Sequence, residues 1–304
     1  MNSINDVLIV GAGPAGLSAA IYLVRAGYKV DLYEKGVPGG KVNLTAHVGN
    51  YPSYNDISGP DLAMKFYEHA SSLGIACQFK EVTSIEKKND LFEVKCGDEV
   101  KLYRAVIVCT GTREKALPAI NAEHYLNHGI SYCAVCDGRF FKDQPVAVVG
   151  GGDSALEEAL YLTTICSNVY LIHRRDEFRA SDFLIKKVLD SSISLLLDST
   201  IEEVMGDNKV ESIKVKNVKN NKVQIIDVNA IFPYIGAIPN TSFIVNNEVK
   251  DEKGYLIVDN NFETKEKGLF ACGDVLKKEL RQIVTASSDG ANAAINVAKY
   301  LKGE

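Results

Sequence analysis

Val7-Leu8-Ile9-Val10-Gly11-Ala12-Gly13-Pro14-Ala15-Gly16 is a short apolar, β-branched run that passes directly into G-x-G-x-x-G. Such a run fits a parallel strand buried on both faces, and the glycines mark the turn that leaves it. Alanine-rich helical sequence follows from about Pro14 to Ala26, and Gly27 stops it. A second strand, Lys29 to Tyr33, then ends in Glu34. Strand, glycine turn, helix, strand and acid within about thirty residues form the context that a dinucleotide fingerprint requires. The glycines let a pyrophosphate approach backbone amides and the helix N-terminus, and the acid accepts hydrogen bonds from a ribose.

The same pattern recurs 139 positions later as Val146-Ala147-Val148-Val149-Gly150-Gly151-Gly152-Asp153-Ser154-Ala155. The match continues without a gap: Leu17 answers to Leu156, Ala20 to Ala159, Tyr22-Leu23 to Tyr161-Leu162 and Val30 to Val169. The expected fold is therefore α/β with two Rossmann-like dinucleotide-binding units. Where the first unit has Glu34, the second has His173, followed by Arg174-Arg175 and then Arg179. An acid there repels a 2′-phosphate, whereas guanidinium groups pair with phosphate bidentately. The first unit is thus expected to hold a dinucleotide with a free ribose, FAD or NAD, and the second to hold NADPH.

Between the two fingerprints lies Ser131-Tyr132-Cys133-Ala134-Val135-Cys136-Asp137-Gly138, a Cys-x-x-Cys closed by an Asp-Gly turn. A zinc site needs four ligands, but the other cysteines (Cys77, Cys96, Cys109, Cys166, Cys272) are scattered singly and give no second Cys-x-x-Cys. A purely structural bridge across so short a loop removes little chain entropy. A redox dithiol, with a thiolate available near neutral pH, is the better reading. Asp137 then serves as the acid that manages thiol protons, although it also suits a plain turn before Gly138.

Elsewhere the chain is loop-like from Lys35 to Pro60, helical over Asp61 to Leu73, and alternating from Gln78 as a small antiparallel layer before a separate buried strand, Ala105 to Cys109. A second meander is expected over Ile201 to Asp227, with buried strands at Ala230 to Ile235 and before Gly273-Asp274. A helix rich in small residues runs from about Gln282 to Leu301, able to approach a flat ring and to favour negative charge at its N-terminus. With 304 residues, two domains are expected. A net charge of -5 gives no basic footprint for nucleic acid. Val7 to Val24 is uncharged and long enough for a minimal membrane span, but its glycines and the lack of a basic stretch before it argue against one. A cytoplasmic protein is expected, where a cysteine pair is more often catalytic than structural.

Taken in order, these motifs resemble the low-molecular-weight, bacterial-type thioredoxin reductases, which are FAD- and NADPH-dependent pyridine nucleotide-disulfide oxidoreductases. The resemblance covers essentially the whole chain. It implies a discontinuous FAD domain, residues 1–112 and 240–304, with an NADPH domain, 113–239, inserted and carrying the Cys133/Cys136 pair. It implies FAD contacts from Gly11, Gly13, Pro14, Ala15, Gly16, Glu34, Lys35, Gly39, Gly40, Lys41, Asn50 and Gly111, and from Gly273, Asp274, Arg281, Gln282 and Ile283. It implies NADPH contacts from Gly150, Gly151, Gly152, Asp153, Ser154 and Ala155, and from His173, Arg174, Arg175 and Arg179. Cys136 is placed beside the flavin, no metal is expected, and the partners are thioredoxin and a second copy of the chain. Because nicotinamide and dithiol share one domain yet must both reach the flavin, the resemblance also implies rotation of that domain between two states. Two departures stand out: Lys41 occupies the place of a usual glutamine, and Ala119-Ile120-Asn121-Ala122-Glu123 lacks the usual Pro-Gly-Glu turn.

Overall fold

The computed structural model describes residues 4–45 and 47–304. The chain divides into two units, one made of 1–43, 48–113 and 238–304, the other chiefly of 114–237.

The first unit opens with β1 (Ile4–Val10), α1 (Pro14–Arg25), β2 (Val30–Glu34), α2 (Gly59–Ser72), β3 (Cys77–Phe79), β4 (Ser84–Lys88), β5 (Leu91–Cys96) and β6 (Glu99–Val108). The chain leaves it through β7 (Thr112–Glu114). The strand order of its sheet is β3-β2-β1-β6-β5-β4. The expected antiparallel layer and the separate buried strand prove to be joined. β6 is one ten-residue strand whose first half pairs antiparallel with β5 while Leu102 to Val108 run parallel to β1. Period-two alternation reads the half that has one solvated face, and a continuous apolar run reads the half covered on both sides. Along β1, Val7 and Ile9 enter one core and Leu8 and Val10 the other, and β6 does the same with Ala105, Ile107 and Val106, Val108. Each such fully buried aliphatic side chain contributes about 1.5–3 kcal/mol.

The second unit contains α3 (Ala134–Asp137), β8 (Pro145–Gly150), α4 (Asp153–Thr163), β9 (Asn168–Ile172), α5 (Asp182–Leu189) and β10 (Ser194–Leu196). A three-stranded antiparallel meander follows, β11 (Ser199–Met205), β12 (Ser212–Asn217) and β13 (Val223–Asp227), and then β14 (Ala230–Tyr234). β10-β9-β8-β14 form a wholly parallel sheet. The chain returns through β15 (Ala237–Pro239), which pairs with β7. The first unit is then completed by β16 (Leu269–Ala271), parallel to the second half of β6, and by α6 (Ile283–Lys302).

Helix α6 lies on α1 at close range because both present small residues. A Cβ on Gly290 would stand 2.1 Å from the Ala15 carbonyl oxygen, and the Ser18 hydroxyl donates to the Ser287 carbonyl at 2.8 Å. Since β1, β2, β6 and β16 are parallel, their C-terminal ends share one edge of the sheet, where open α/β sheets bind ligands. The ends of β8, β9 and β14 do the same in the second unit.

Candidate active site

In the first unit the fingerprint is held from below. Gly11 has φ of +102°, and a Cβ there would lie 2.5 Å from the Cys109 carbonyl oxygen, so β1 can turn into α1 only without a side chain at this position. Gly16 is tighter still, with a would-be Cβ 1.9 Å from the Gly11 carbonyl oxygen. Above the turn there is space: a Cβ on Gly13 meets nothing within 4 Å. Glu34 closes β2 with one carboxylate oxygen accepting from the Ala12 amide and the other from the Gly36 amide, each at 2.8 Å. Gly39 donates its amide to the Ala12 carbonyl at 2.7 Å, which brings Gly39, Gly40 and Lys41 to the same turn. The Lys41 ammonium donates to the Thr112 hydroxyl at 3.5 Å, and the Gly111 carbonyl accepts from the Asn240 amide at 3.0 Å. Lys35 points elsewhere, to a solvent-exposed ion pair with Glu81.

The later segment adds Asp274, Arg281, Gln282 and Ile283. Gln282 caps α6 in a reciprocal box with Thr285 and accepts from the Asn50 side chain at 3.2 Å, so two expected contacts distant in sequence meet. Arg281 donates to the Asp274 and Leu276 carbonyls and lies 4.5 Å from the Tyr255 ring centroid. Asp274 is mostly buried, and burial, opposed by Lys278, Lys41 and Arg281, raises its carboxyl above the ordinary range. Its Oδ1 has no hydrogen-bond partner among the described residues. A buried acceptor left open costs about 1–3 kcal/mol and fits a site built for a polyhydroxyl ligand. Two residues here carry no motif. Asp289, on the second turn of α6, accepts from the Gly273 amide at 3.1 Å and pairs with Lys278 at 2.6 Å, fixing the Gly273-Asp274 turn.

In the second unit the arginine segment is laced to the glycine turn. The Arg179 amide donates to the Gly151 carbonyl at 2.7 Å, and the Ser181 amide donates to Asp153 Oδ1 at 2.8 Å. Arg174, Arg175 and Arg179 are exposed, and none of them pairs with a carboxylate among the described residues. His173 behaves differently. It is 5% exposed, stacks on Phe178, donates from Nε2 to the Glu177 carbonyl at 3.0 Å, and its ring fills the space a Gly151 side chain would take, 2.3 Å from a would-be Cβ. Burial lowers its basicity, with the nearby arginines adding to the effect. It supports the loop from beneath while the arginines face outward. Glu157, one turn into α4, has its carboxyl raised to about 7 by burial and then by the charge of Asp153.

Cys133 and Cys136 form a disulfide. Cys133 is buried at 8% exposure while Cys136 is exposed. The expected Asp-Gly turn is replaced by helix: α3 runs on into a 3₁₀ turn, Gly138–Phe141, with Gly138 at φ of -55°. The position is tightly packed, since a Cβ would press on a Leu162 methyl at 2.9 Å. Cys133 caps α3 and its sulfur accepts from the Cys136 amide at 3.1 Å. Asp137 accepts from the Ser131 hydroxyl at 2.6 Å, and that hydroxyl oxygen accepts from the Cys133 amide at 3.1 Å. The Ala134 amide donates to the Tyr234 hydroxyl at 3.3 Å. Ser131 and Tyr234 were not expected in the site; Ser131 opens the quoted stretch at i−2 from Cys133, a spacing that favours such a turn, whereas Tyr234 arrives only through β14 pairing with β8.

Comparison with known proteins places this arrangement. The family model for pyridine nucleotide-disulphide oxidoreductases matches residues 5–290. This chain belongs to that family. It is 40% identical to a thioredoxin reductase of Listeria innocua over 98% of this chain and 94% of that protein. It is 38% identical to one of Bacillus subtilis over 98% and 95% of the two chains. Among solved structures, the thioredoxin reductase of Lactococcus lactis superposes with a TM-score of 0.96 at 41% identity, covering 99% of this chain and 100% of that one. The Cys133–Cys136 disulfide and the second glycine turn both lie in the second unit.

Proposed function

We propose that this chain is an NADPH-dependent thioredoxin reductase using FAD and the Cys133/Cys136 pair. The observation that carries the reading is the disulfide Cys133–Cys136 within the same unit as a dinucleotide turn flanked by three outward arginines. FAD belongs in the first unit, held by the Gly11 to Gly16 turn, Glu34 and the open Oδ1 of Asp274. NADPH belongs in the second, with Arg174, Arg175 and Arg179 on its 2′-phosphate. Held there, FAD would supply two-electron transfer between NADPH and the disulfide. The residues of this chain then manage the product. The Cys136 amide donating to Cys133 Sγ favours a thiolate on Cys133, and Asp137, oriented by Ser131, takes up or returns the thiol proton. The dithiol reduces the thioredoxin disulfide by thiol exchange through a mixed disulfide.

A cytoplasmic homodimer accompanies this reading; no described helix is long and apolar enough to cross a membrane. Anaerobic titration of the yellow protein with NADPH, then NADH, followed by thioredoxin disulfide tests the whole scheme. NADPH should bleach the flavin and yield reduced thioredoxin in a ratio of about one to one, as a two-electron couple requires. The proposal fails if Cys136→Ser still reduces thioredoxin, or if NADH serves equally well. Flavin bleaching without thioredoxin reduction would point instead to another dithiol protein as substrate or to a redox sensor.

A further inference from the structure

Cys109 and Cys272 take no part in the scheme above, yet their sulfurs lie 3.2 Å apart across 163 residues of sequence. Their closeness follows from strand register. β6 and β16 pair in parallel with Val108 opposite Ala271, so the next residue of each strand brings the two cysteines side by side. Each one immediately precedes a turn assigned to the first nucleotide site, Thr110-Gly111 after Cys109 and Gly273-Asp274 after Cys272. Cys109 also lies under the fingerprint, 3.3 Å from where a Gly16 Cβ would stand.

We propose that Cys109 and Cys272 are a second dithiol, converted by hydrogen peroxide to a disulfide that locks the two sequence segments of the first unit together. The sulfurs need to close by about 1 Å to reach a bond of about 2.05 Å, well within what neighbouring strands allow. Cys109 is 6% exposed and Cys272 is fully buried, so a second protein or a bulky thiol is kept out and the oxidant must be small. The Cys109 sulfur attacks one peroxide oxygen; the O–O bond breaks, water leaves, and a sulfenic acid remains. The Cys272 sulfur then attacks the Cys109 sulfur, the S–O bond breaks, and a second water leaves with the thiol proton. Two thiols and one peroxide give one disulfide and two waters, the protein losing the two electrons that peroxide gains. Burial, with Cys272 and Asp289 adding to it, pushes the Cys109 thiol well above its ordinary range, which makes the first step slow and keeps the pair reduced without sustained peroxide. The new loop encloses residues 114–237, the main segment of the second unit, and a cross-link over so long a loop restricts the unfolded chain strongly.

The test uses the FAD-loaded Cys133→Ser, Cys136→Ser double variant, so its outcome does not depend on the thioredoxin reading. Of its five remaining thiols, those of Cys77, Cys96, Cys109, Cys166 and Cys272, two should disappear on peroxide treatment and return with dithiothreitol. Peptide mapping should recover Cys109 joined to Cys272. The temperature at which flavin fluorescence is released, a reporter of the first unit, should rise by roughly 5 °C. The same protein with Cys272→Ala added should show neither cross-link nor shift. Persistence of all five thiols, a disulfide between other cysteines, sulfinic acid at Cys109, or a cross-link that leaves the release temperature unchanged each overturns the proposal. Where the variants do not fold, peptide mapping of peroxide-treated wild-type protein decides whether the Cys109–Cys272 bond forms, and its absence there overturns the proposal equally.

Discussion

Asp137 shows how one residue can be assigned by its neighbours. Alone it is a carboxylate after a cysteine; with Ser131 donating to it, and the same hydroxyl receiving the Cys133 amide, it is held in one orientation beside the dithiol. Asp137→Asn should slow thioredoxin reduction roughly 100-fold while leaving the NADPH-driven bleaching of flavin unchanged, measured by stopped-flow absorbance and steady-state turnover. Ser131→Ala should act in the same direction by about tenfold, the worth of one hydrogen bond to a charged group. Glu157 provides a pH signature. Its folded carboxyl titrates at about 7 against 4.5 unperturbed. Between those values the folded protein holds a proton that the unfolded chain has released, so stability falls as pH rises through the window. Glu157→Gln removes that loss. The thermal midpoint of the variant, measured without nucleotide, should match wild type below pH 4.5 and exceed it by an increment that grows to a plateau above pH 7.

At the scale of elements the two fingerprints are the same device under different tolerances. Gly16 in the first and Ala155 in the second occupy equivalent places 139 residues apart, and only the first is blocked by a carbonyl at 1.9 Å. Gly16→Ala should therefore destabilise the first unit by about 1–3 kcal/mol and release FAD, seen as loss of yellow colour on gel filtration. The equivalent crowding in the second unit has already been accommodated, with Ala155 buried against Gly150. At the end of β9 the division of labour is between an inward histidine and outward arginines. Replacing Arg174 and Arg175 with Ala should raise the KM for NADPH roughly 10- to 100-fold with little effect on NADH, because only the 2′-phosphate loses its partners.

The whole molecule is one nucleotide unit interrupted by another. β6 and β16, 160 residues apart along the chain, are neighbours in one sheet, so the first unit is complete only after the second has been made. The long segment of the second unit, 114–237, begins at the last residue of β7 and ends at the first of β15. In the proposed scheme nicotinamide and dithiol both belong to that unit and both serve one flavin, so the distance between dyes placed on the two units should change when NADPH reduces the protein anaerobically. Single-pair energy transfer that stays at one value in the oxidised and reduced states would remove this motion from the scheme.

The parts of this protein that depend on neighbours along the chain were legible in its sequence. Val7 to Gly16 and its repeat announce strand, turn and helix because apolar period, glycine and small residues act within a few positions, and the contrast of Glu34 with Arg174-Arg175 is readable because charge at the strand end is local as well. The Cys133 to Cys136 spacing is likewise closed over three residues. Tertiary structure decided what depends on register. Only the parallel pairing of β16 with β6 sets Cys272 against Cys109, only the packing of α6 on α1 carries Asp289 to the Gly273 amide, and only β14 beside β8 brings Tyr234 to Ala134. A one-residue shift in either strand pairing turns the side chain to the other face of its sheet, and no periodicity within a single segment encodes which neighbour it will meet.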